Sequence, residues 1–342
     1  MQNKAVVGWD IGGVNIKVAV VEHERLVRAC ARPFELQRAP DTLATVLREL
    51  ASEAGAQADV HPVVHAVTMT AELSQMFRTK REGVAFVLHA VAAAFPSSAV
   101  RVFAVDGRFV DPAEARRRPL TVAAANWAAT AALVARHYRN AVLVDIGTTT
   151  ADVIPIVGGV VVAHGRTDPE RLASGELVYT GALRTPAEAI ASYVTVDGQR
   201  VGVSAEGFAL AGDVHVWRGD LAPADYTVPT PDGRSATREF AGERLARVIC
   251  ADREMLDDAG VSAIADGIAE AQIDRVAEGI RRVCARHASL ETAVVTGLGA
   301  FIAKTAACRA GLSVASLADH LGADAARYAP AAAVALLLDA ES

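Results

Sequence analysis

The chain has 342 residues, a net charge of −6 and 52% hydrophobic residues with few aromatics. That is enough chain for two domains with separate cores, and the acidic balance offers no basic face to nucleic acid or an anionic membrane. No stretch approaches the roughly 20 uninterrupted apolar residues of a membrane span, and four cysteines without a Cys-x-x-Cys pair indicate neither a zinc site nor a disulfide framework. A cytoplasmic protein is expected, without a leader, because the apolar start at Ala5 is broken by Asp10 and the glycines after it.

In chain order, apolar patterning predicts strands over 5–9, 16–22 and 25–31. Leu43, Val46, Leu47 and Leu50 share one face of a helix over 41–54. A buried strand follows over 61–69, a helix over 81–95, a strand over 100–105 and an Ala-rich helix over 121–138. The run Arg116-Arg117-Arg118 reads as a solvated helix end. A second domain is expected to begin near Asn140, giving domains 1–139 and 140–342. It carries a strand over 159–164, a helix or turn start at 207–211 and a Pro-, Asp- and Gly-rich surface loop over 220–237. A helix over 240–250, one or two amphipathic helices over 261–287, a strand at 313–316 and a last helix from Ala325, packing back on the first domain, complete the reading.

Two segments have nearly the same design. Val6–Val20 contains Asp10-Ile11-Gly12-Gly13-Val14-Asn15-Ile16-Lys17, and Ala141–Ile156 contains Asp145-Ile146-Gly147-Thr148-Thr149-Thr150. Each reads as strand, Asp-Ile-Gly turn, strand. Glycine lets a backbone approach a ligand closely, successive N–H groups form an anion-binding concavity, and a neighbouring carboxylate holds a divalent cation that bridges to phosphate oxygens. A third segment, Thr292–Ala303, is a buried strand, a Gly297-Leu298-Gly299 turn and a helix start, a place where a ligand sits against a helix N-terminus. Other pairings carry less. His61 and His65 would lie about 13 Å apart at roughly 3.3 Å per residue, too far for one metal. Cys284 and His287 read as a solvated helix face, and Cys250 as core packing.

These three turns together resemble the actin-like ATPase, sugar kinase and Hsp70 superfamily, which implies an α/β, two-domain, ribonuclease H-like fold with paired phosphate-loop hairpins. The patches Met69-Thr70-Ala71-Glu72-Leu73, Tyr179-Thr180-Gly181-Ala182-Leu183-Arg184-Thr185-Pro186 and Arg244–Asp252 resemble, across essentially the whole chain, the hydantoinase/oxoprolinase-like proteins linked to tetrahydromethanopterin C1 transfer. That family includes a synthase of methanofuran biosynthesis. The resemblance implies a transferase whose small-molecule substrates are an (aminomethyl)furanmethanol diphosphate and the phenol of tyramine or glutamyl-tyramine, with diphosphate leaving. On that reading Asp10 and Asp145 organise Mg²⁺, while Gly12, Gly13, Asn15, Gly147, Thr148 and Thr149 donate to the diphosphate. Gly297 and Gly299 form the superfamily's adenosine loop. Lys17 and Arg184 supply positive charge, with a solvated strand lysine and a surface salt bridge as the alternatives. Asp152 stands either behind the site or at the hairpin's end. Glu72 and Asp213 are the carboxylates that accept the phenol proton or pair with an amine, or else cap local turns. An ATP-dependent kinase or ring hydrolase is the alternative enzyme, and a filament former or sugar-responsive regulator the alternative outside enzymes. Nucleic-acid and membrane partners are not expected; self-association is left open.

Overall fold

The computed structural model describes residues 5–56 and 63–341. In chain order its elements are β1 Ala5–Ile11, β2 Asn15–Glu22, β3 Arg25–Pro33, α1 Leu43–Glu53, β4 Val63–Met69, α2 Lys80–Ala94, β5 Ala99–Phe103, β6 Phe109–Val110, α3 Pro112–Arg117 and α4 Asn126–His137. Then come β7 Ala141–Ile146, β8 Ala151–Val157, β9 Val160–Val161, α5 Asp168–Ser174, β10 Leu177–Val178, α6 Ala187–Ile190, β11 Tyr193–Val196 and β12 Gln199–Gly202. The chain ends with α7 Ala211–Arg218, α8 Arg238–Arg247, α9 Asp258–Cys284, β13 Thr292–Thr296, α10 Ala300–Arg309, β14 Ser313–Ser316, α11 Ala318–Leu321, α12 Ala323–Arg327 and α13 Ala329–Asp339. None of the described helices is long and apolar enough to cross a membrane.

The chain divides into two compact units that interleave in sequence. Unit 1 is Met1–Ala141, Ile154–Glu170 and Ala315–Ser342; unit 2 is Val142–Val153 and Arg171–Val314.

Unit 1 is organised by a six-stranded sheet in the order β3-β2-β1-β4-β5-β6. The β1–β2 hairpin is antiparallel, with Asp10 opposite Lys17, and β1 runs parallel to β4. Every residue of β1 is buried, as expected of a central strand covered on both faces. The Ala-rich α13 packs against β1, β2 and β4. Gly8 makes this approach possible, since a Cβ there would sit 2.8 Å from the Ala335 Cβ. Helix α4 starts at Asn126 rather than at 121. Residues before it are held otherwise: Ala123 bridges to Met69 and Ala124 takes a left-handed φ of 50°, which no helix continues. The strand expected over 159–164 shrinks to Val160–Val161. Its partner β8 contains Pro155, which has no N–H to extend the ladder.

The second sheet runs β10-β8-β7-β13-β14, with β9 on β8. In unit 2, β13 is parallel to β7 and places Thr296 beside Asp145. Helix α9 is a single 27-residue helix, and its buried Ile264, Ile268, Ile273, Val276, Ile280 and Val283 explain its length: one apolar stripe continues through all seven turns.

Candidate functional site

The first hairpin turn lies in unit 1. It closes with the Gly12 amide donating to the Asn15 carbonyl at 3.0 Å, while the Gly13 and Val14 carbonyls accept from Leu36 and Phe34. A Cβ at Gly12 would meet that Asn15 oxygen at 2.7 Å, so the turn itself requires this glycine. At Gly13 nothing lies within 4 Å of the position a Cβ would take, so the space over its backbone is open to a ligand.

Asp10 is the next-to-last residue of β1, just before this turn, and is 4% exposed. Its Oδ2 accepts from Lys17 Nζ at 2.9 Å, and its Oδ1 is buried without a hydrogen bond among the described residues. Beside it on β4 stands Thr68, fully buried, whose hydroxyl also lacks a partner. Burying such atoms unmade costs about 1–3 kcal/mol each, so two adjacent oxygens left this way suit a cation or an ordered water. That chemistry fits Mg²⁺, which is bound through one or two carboxylates plus water and phosphate oxygens rather than a protein cage. No group of three His, Cys, Asp or Glu side chains that could hold a metal occurs among the described residues. Lys17 sits on the carboxylate of Asp10, which places its charge at the turn.

Glu72 follows β4 in a short 3-10 turn, Ala71–Leu73, and is 1% exposed. Among the described residues neither of its oxygens has a hydrogen bond. Burial pushes its carboxyl up to about 7, against the pull of Lys80. Lys80 Nζ lies 3.9 Å from Glu72 Oε1 and 2.7 Å from Asp168 Oδ2. Lys80, Asp168 and Thr68 carry no local sequence signal; the chain brings the lysine and its aspartate together across 88 positions.

The second hairpin turn lies in unit 2. Gly147 N donates to the Thr150 carbonyl at 3.0 Å, repeating the first turn's closure. Around it the packing is different. The segment 181–185 is laid on the turn: Ala182 N donates to the Gly147 carbonyl, and Leu183 and Arg184 N both donate to the Thr148 carbonyl. A Cβ at Gly181 would overlap the Thr149 backbone. Buried Gln272 holds this segment from behind, donating to Thr180 Oγ1 and the Gly181 carbonyl at 2.9 Å while its Oε1 pairs with His215 Nε2 at 2.8 Å. Arg184 is exposed, and its guanidinium has no ion-pair partner among the described residues, so the surface salt bridge considered for it is not formed there.

Asp145 is 8% exposed. The Gly297-x-Gly299 turn is packed directly on it. Gly297 has φ of +86°, and a Cβ there would overlap Asp145 Oδ1; one at Gly299 would come within 2.5 Å of Ile146 Cγ2. Gly299 N donates to the Ile146 carbonyl at 2.8 Å. Packing on β7 by itself requires glycine at both positions.

Asp213 takes the capping alternative. It is fully buried; its Oδ2 accepts from Leu210 N, opening α7, and its Oδ1 accepts from Arg244 Nε at 2.9 Å. Burial raises its carboxyl while Arg244 pulls it down. The Tyr226 hydroxyl, also raised by burial and by Asp213, lies 3.4 Å from Oδ2. Asp152 pairs with buried Arg171. Cys250 is exposed rather than in the core, and Cys284 is half-buried. His65 is buried, with Nδ1 accepting from Trp9 Nε1 at 3.0 Å and Phe95 stacked on its ring. Burial lowers it to about 4, so it is neutral. His61 lies outside the described residues.

Against known proteins, the hydantoinase/oxoprolinase family profile matches residues 64–341. The chain is 35% identical over 97% of both chains to a Methanocaldococcus jannaschii protein named (4-{4-[2-(gamma-L-glutamylamino)ethyl]phenoxymethyl}furan-2-yl)methanamine synthase. A Methanococcus vannielii protein of the same name is 33% identical over 59% of this chain and 92% of its own. Among solved structures, nucleotide-free acetone carboxylase superposes with a TM-score of 0.55 at 12% identity, covering 98% of this chain and 70% of that one. That likeness shows the fold, the α/β actin-like ATPase architecture.

Proposed function

We propose that this chain, which belongs to the hydantoinase/oxoprolinase family, is a transferase that joins an (aminomethyl)furanmethanol diphosphate to the phenol of γ-glutamyl-tyramine. The observation that carries this reading is the 35% identity sustained over 97% of both chains to the synthase of that product. The relative's name contains the γ-glutamylamino group, which favours the glutamylated acceptor over free tyramine.

The reaction forms a C–O bond between the phenol oxygen and the furan-2-ylmethyl carbon. It breaks the bond from that carbon to the diphosphate oxygen, and the phenol proton leaves. A phenol has an unperturbed pKa near 10, so an acceptor near neutrality helps. Glu72, raised by burial to about 7, is matched to that task, and its two oxygens are not committed to other hydrogen bonds among the described residues. In unit 1 the open backbone at Gly13 and the side chain of Asn15 suit diphosphate oxygens, with Lys17 adding charge. In unit 2 the turn Gly147-Thr148-Thr149 is braced by 181–185 but carries threonine hydroxyls suited to an anion, and Arg184 presents a planar guanidinium suited to an anionic group. Asp10 is the residue assigned to Mg²⁺, which when bound neutralises the charge of departing diphosphate.

The test follows phosphorus. Protein is incubated with the furan diphosphate and γ-glutamyl-tyramine, with and without ATP. One diphosphate per ether, equally with and without ATP, is the expected result. Monophosphate release, ADP formation or an ATP requirement would overturn the reading in favour of a kinase or hydrolase.

A further inference from the structure

A carboxylate as buried as Glu72 ordinarily acquires a hydrogen-bonded partner. Here the described residues provide none. Helix α2 is pressed onto the turn that carries it: a Cβ at Gly83 would lie 2.5 Å from the Glu72 Cα. That contact seats α2 directly against the backbone and Cβ of Glu72. Its charged neighbours come from two other elements. Lys80 is the first residue of α2 and Asp168 the first of α5. From the 119–124 segment it meets the Ala124 amide, and from its own turn its own amide; both favour the ionised form, without closing a hydrogen bond.

Lys80 is therefore shared unequally. Its ammonium is in contact with Asp168 at 2.7 Å and stands off Glu72 at 3.9 Å. Were it in contact with Glu72, the glutamate would be a permanent anion and a poor base. Were it absent, the glutamate would hold its proton through neutrality. We propose that Lys80 and Asp168 are a positioning pair for Glu72, the lysine favouring its ionised form and Asp168 restraining the lysine from binding it outright. The pair's value to turnover rests on the reading of Glu72 as the proton acceptor; its effect on the carboxyl does not.

The two members then act in opposite directions, which a purely structural role would not do. The experiment is direct titration of the Glu72 carboxyl by NMR in protein carrying ¹³C-carboxyl glutamate, the signal being assigned by its loss in Glu72→Gln. Lys80→Met should move the midpoint up and Asp168→Asn should move it down, each by about one pH unit. Lys80→Arg, which keeps the charge, should restore it; Lys80→Gln serves if the methionine variant does not fold. Midpoints that stay put, or move the same way in both variants, overturn the proposal. The acid limb of kcat/KM is measured alongside, and a one-unit rise in Lys80→Met lowers activity at pH 7 roughly fivefold. Opposite shifts in the titration with an unmoved acid limb would uphold the pair and refute Glu72 as the base. An acid limb lost in Glu72→Gln with unmoved midpoints would do the reverse.

Discussion

The two Asp-Ile-Gly turns are close in sequence and differ in how they are finished. The turn after Asp10 is left with loose ends: open space over Gly13, one oxygen of Asp10 unmade and the Thr68 hydroxyl unmade beside it. The turn after Asp145 is braced. Gly181 and Gly297 each come so close that no side chain fits, and Gln272 holds the bracing segment from behind. The same contrast separates the two buried carboxylates proposed as bases. Glu72 in unit 1 has no hydrogen bond among the described residues, whereas Asp213 in unit 2 has a backbone amide and Arg244. Unsatisfied buried groups cost stability, so they point to chemistry where satisfied ones point to architecture.

The largest effect should come from the unfinished turn. Asp10→Asn keeps the shape and removes the charge. Loss of about 10²-fold or more in kcat/KM is expected, since stabilising a leaving group's charge is worth several kcal/mol, with the urea unfolding midpoint close to wild type. EDTA should produce a comparable loss that Mg²⁺ reverses. Full activity of Asp10→Asn, or of wild type in EDTA, would remove the metal from the proposal.

Glu72 tests the contrast through stability. Its carboxyl is raised from the ordinary 4.5 to about 7. A carboxyl raised on folding is easily kept while protonated, below about 4.5, and its contribution is lost as pH rises through about 7. At 1.36 kcal/mol per pH unit the loss reaches about 3 kcal/mol. Glu72→Gln never ionises, so it should match wild type at pH 4 and be the more stable protein at pH 8, while losing turnover. A variant less stable than wild type at pH 8 would show that Glu72 is satisfied after all.

Two glycines measure the bracing. Gly297→Ala forces a methyl toward Asp145 at a left-handed φ of +86°, and should cost about 2 kcal/mol of stability. Gly13→Ala meets nothing within 4 Å, and should leave unfolding within about 0.5 kcal/mol while raising KM for the diphosphate. Equal effects on stability from both substitutions would erase the distinction between the turns.

Much of this was legible in the sequence because it is local. Both hairpins, the Gly-x-Gly strand-to-helix turn and the capping alternative for Asp213 depend on residues a few positions apart, where strand period and turn chemistry speak directly. What was not legible is set by tertiary pairing. Arg244 meets Asp213 from 31 positions away. Lys80 reaches Glu72 from one helix, and Asp168 reaches Lys80 from another. The close packing of Gly297 on Asp145 and of Gly299 on Ile146 joins strands that are far apart in the chain. The Ala-rich run 121–125 has helical composition, yet Ala124 is spent on a left-handed turn beside Glu72.

Arg184 gives the smallest effect and the finest test of what the bracing is for. Its backbone is fixed by donation to the Thr148 carbonyl, yet its side chain is exposed and unpaired among the described residues. A guanidinium held at its base and unneutralised at its tip is arranged to receive an anion. Arg184→Ala should raise KM for the furan diphosphate about tenfold, worth about 1.4 kcal/mol, with kcat and the unfolding midpoint little changed. Arg184→Lys should recover part of that, because it keeps the charge but not the fork. If KM for γ-glutamyl-tyramine rises instead, the residue reads the glutamyl carboxylate. If neither KM moves, the segment 181–185 braces the turn without contributing to recognition.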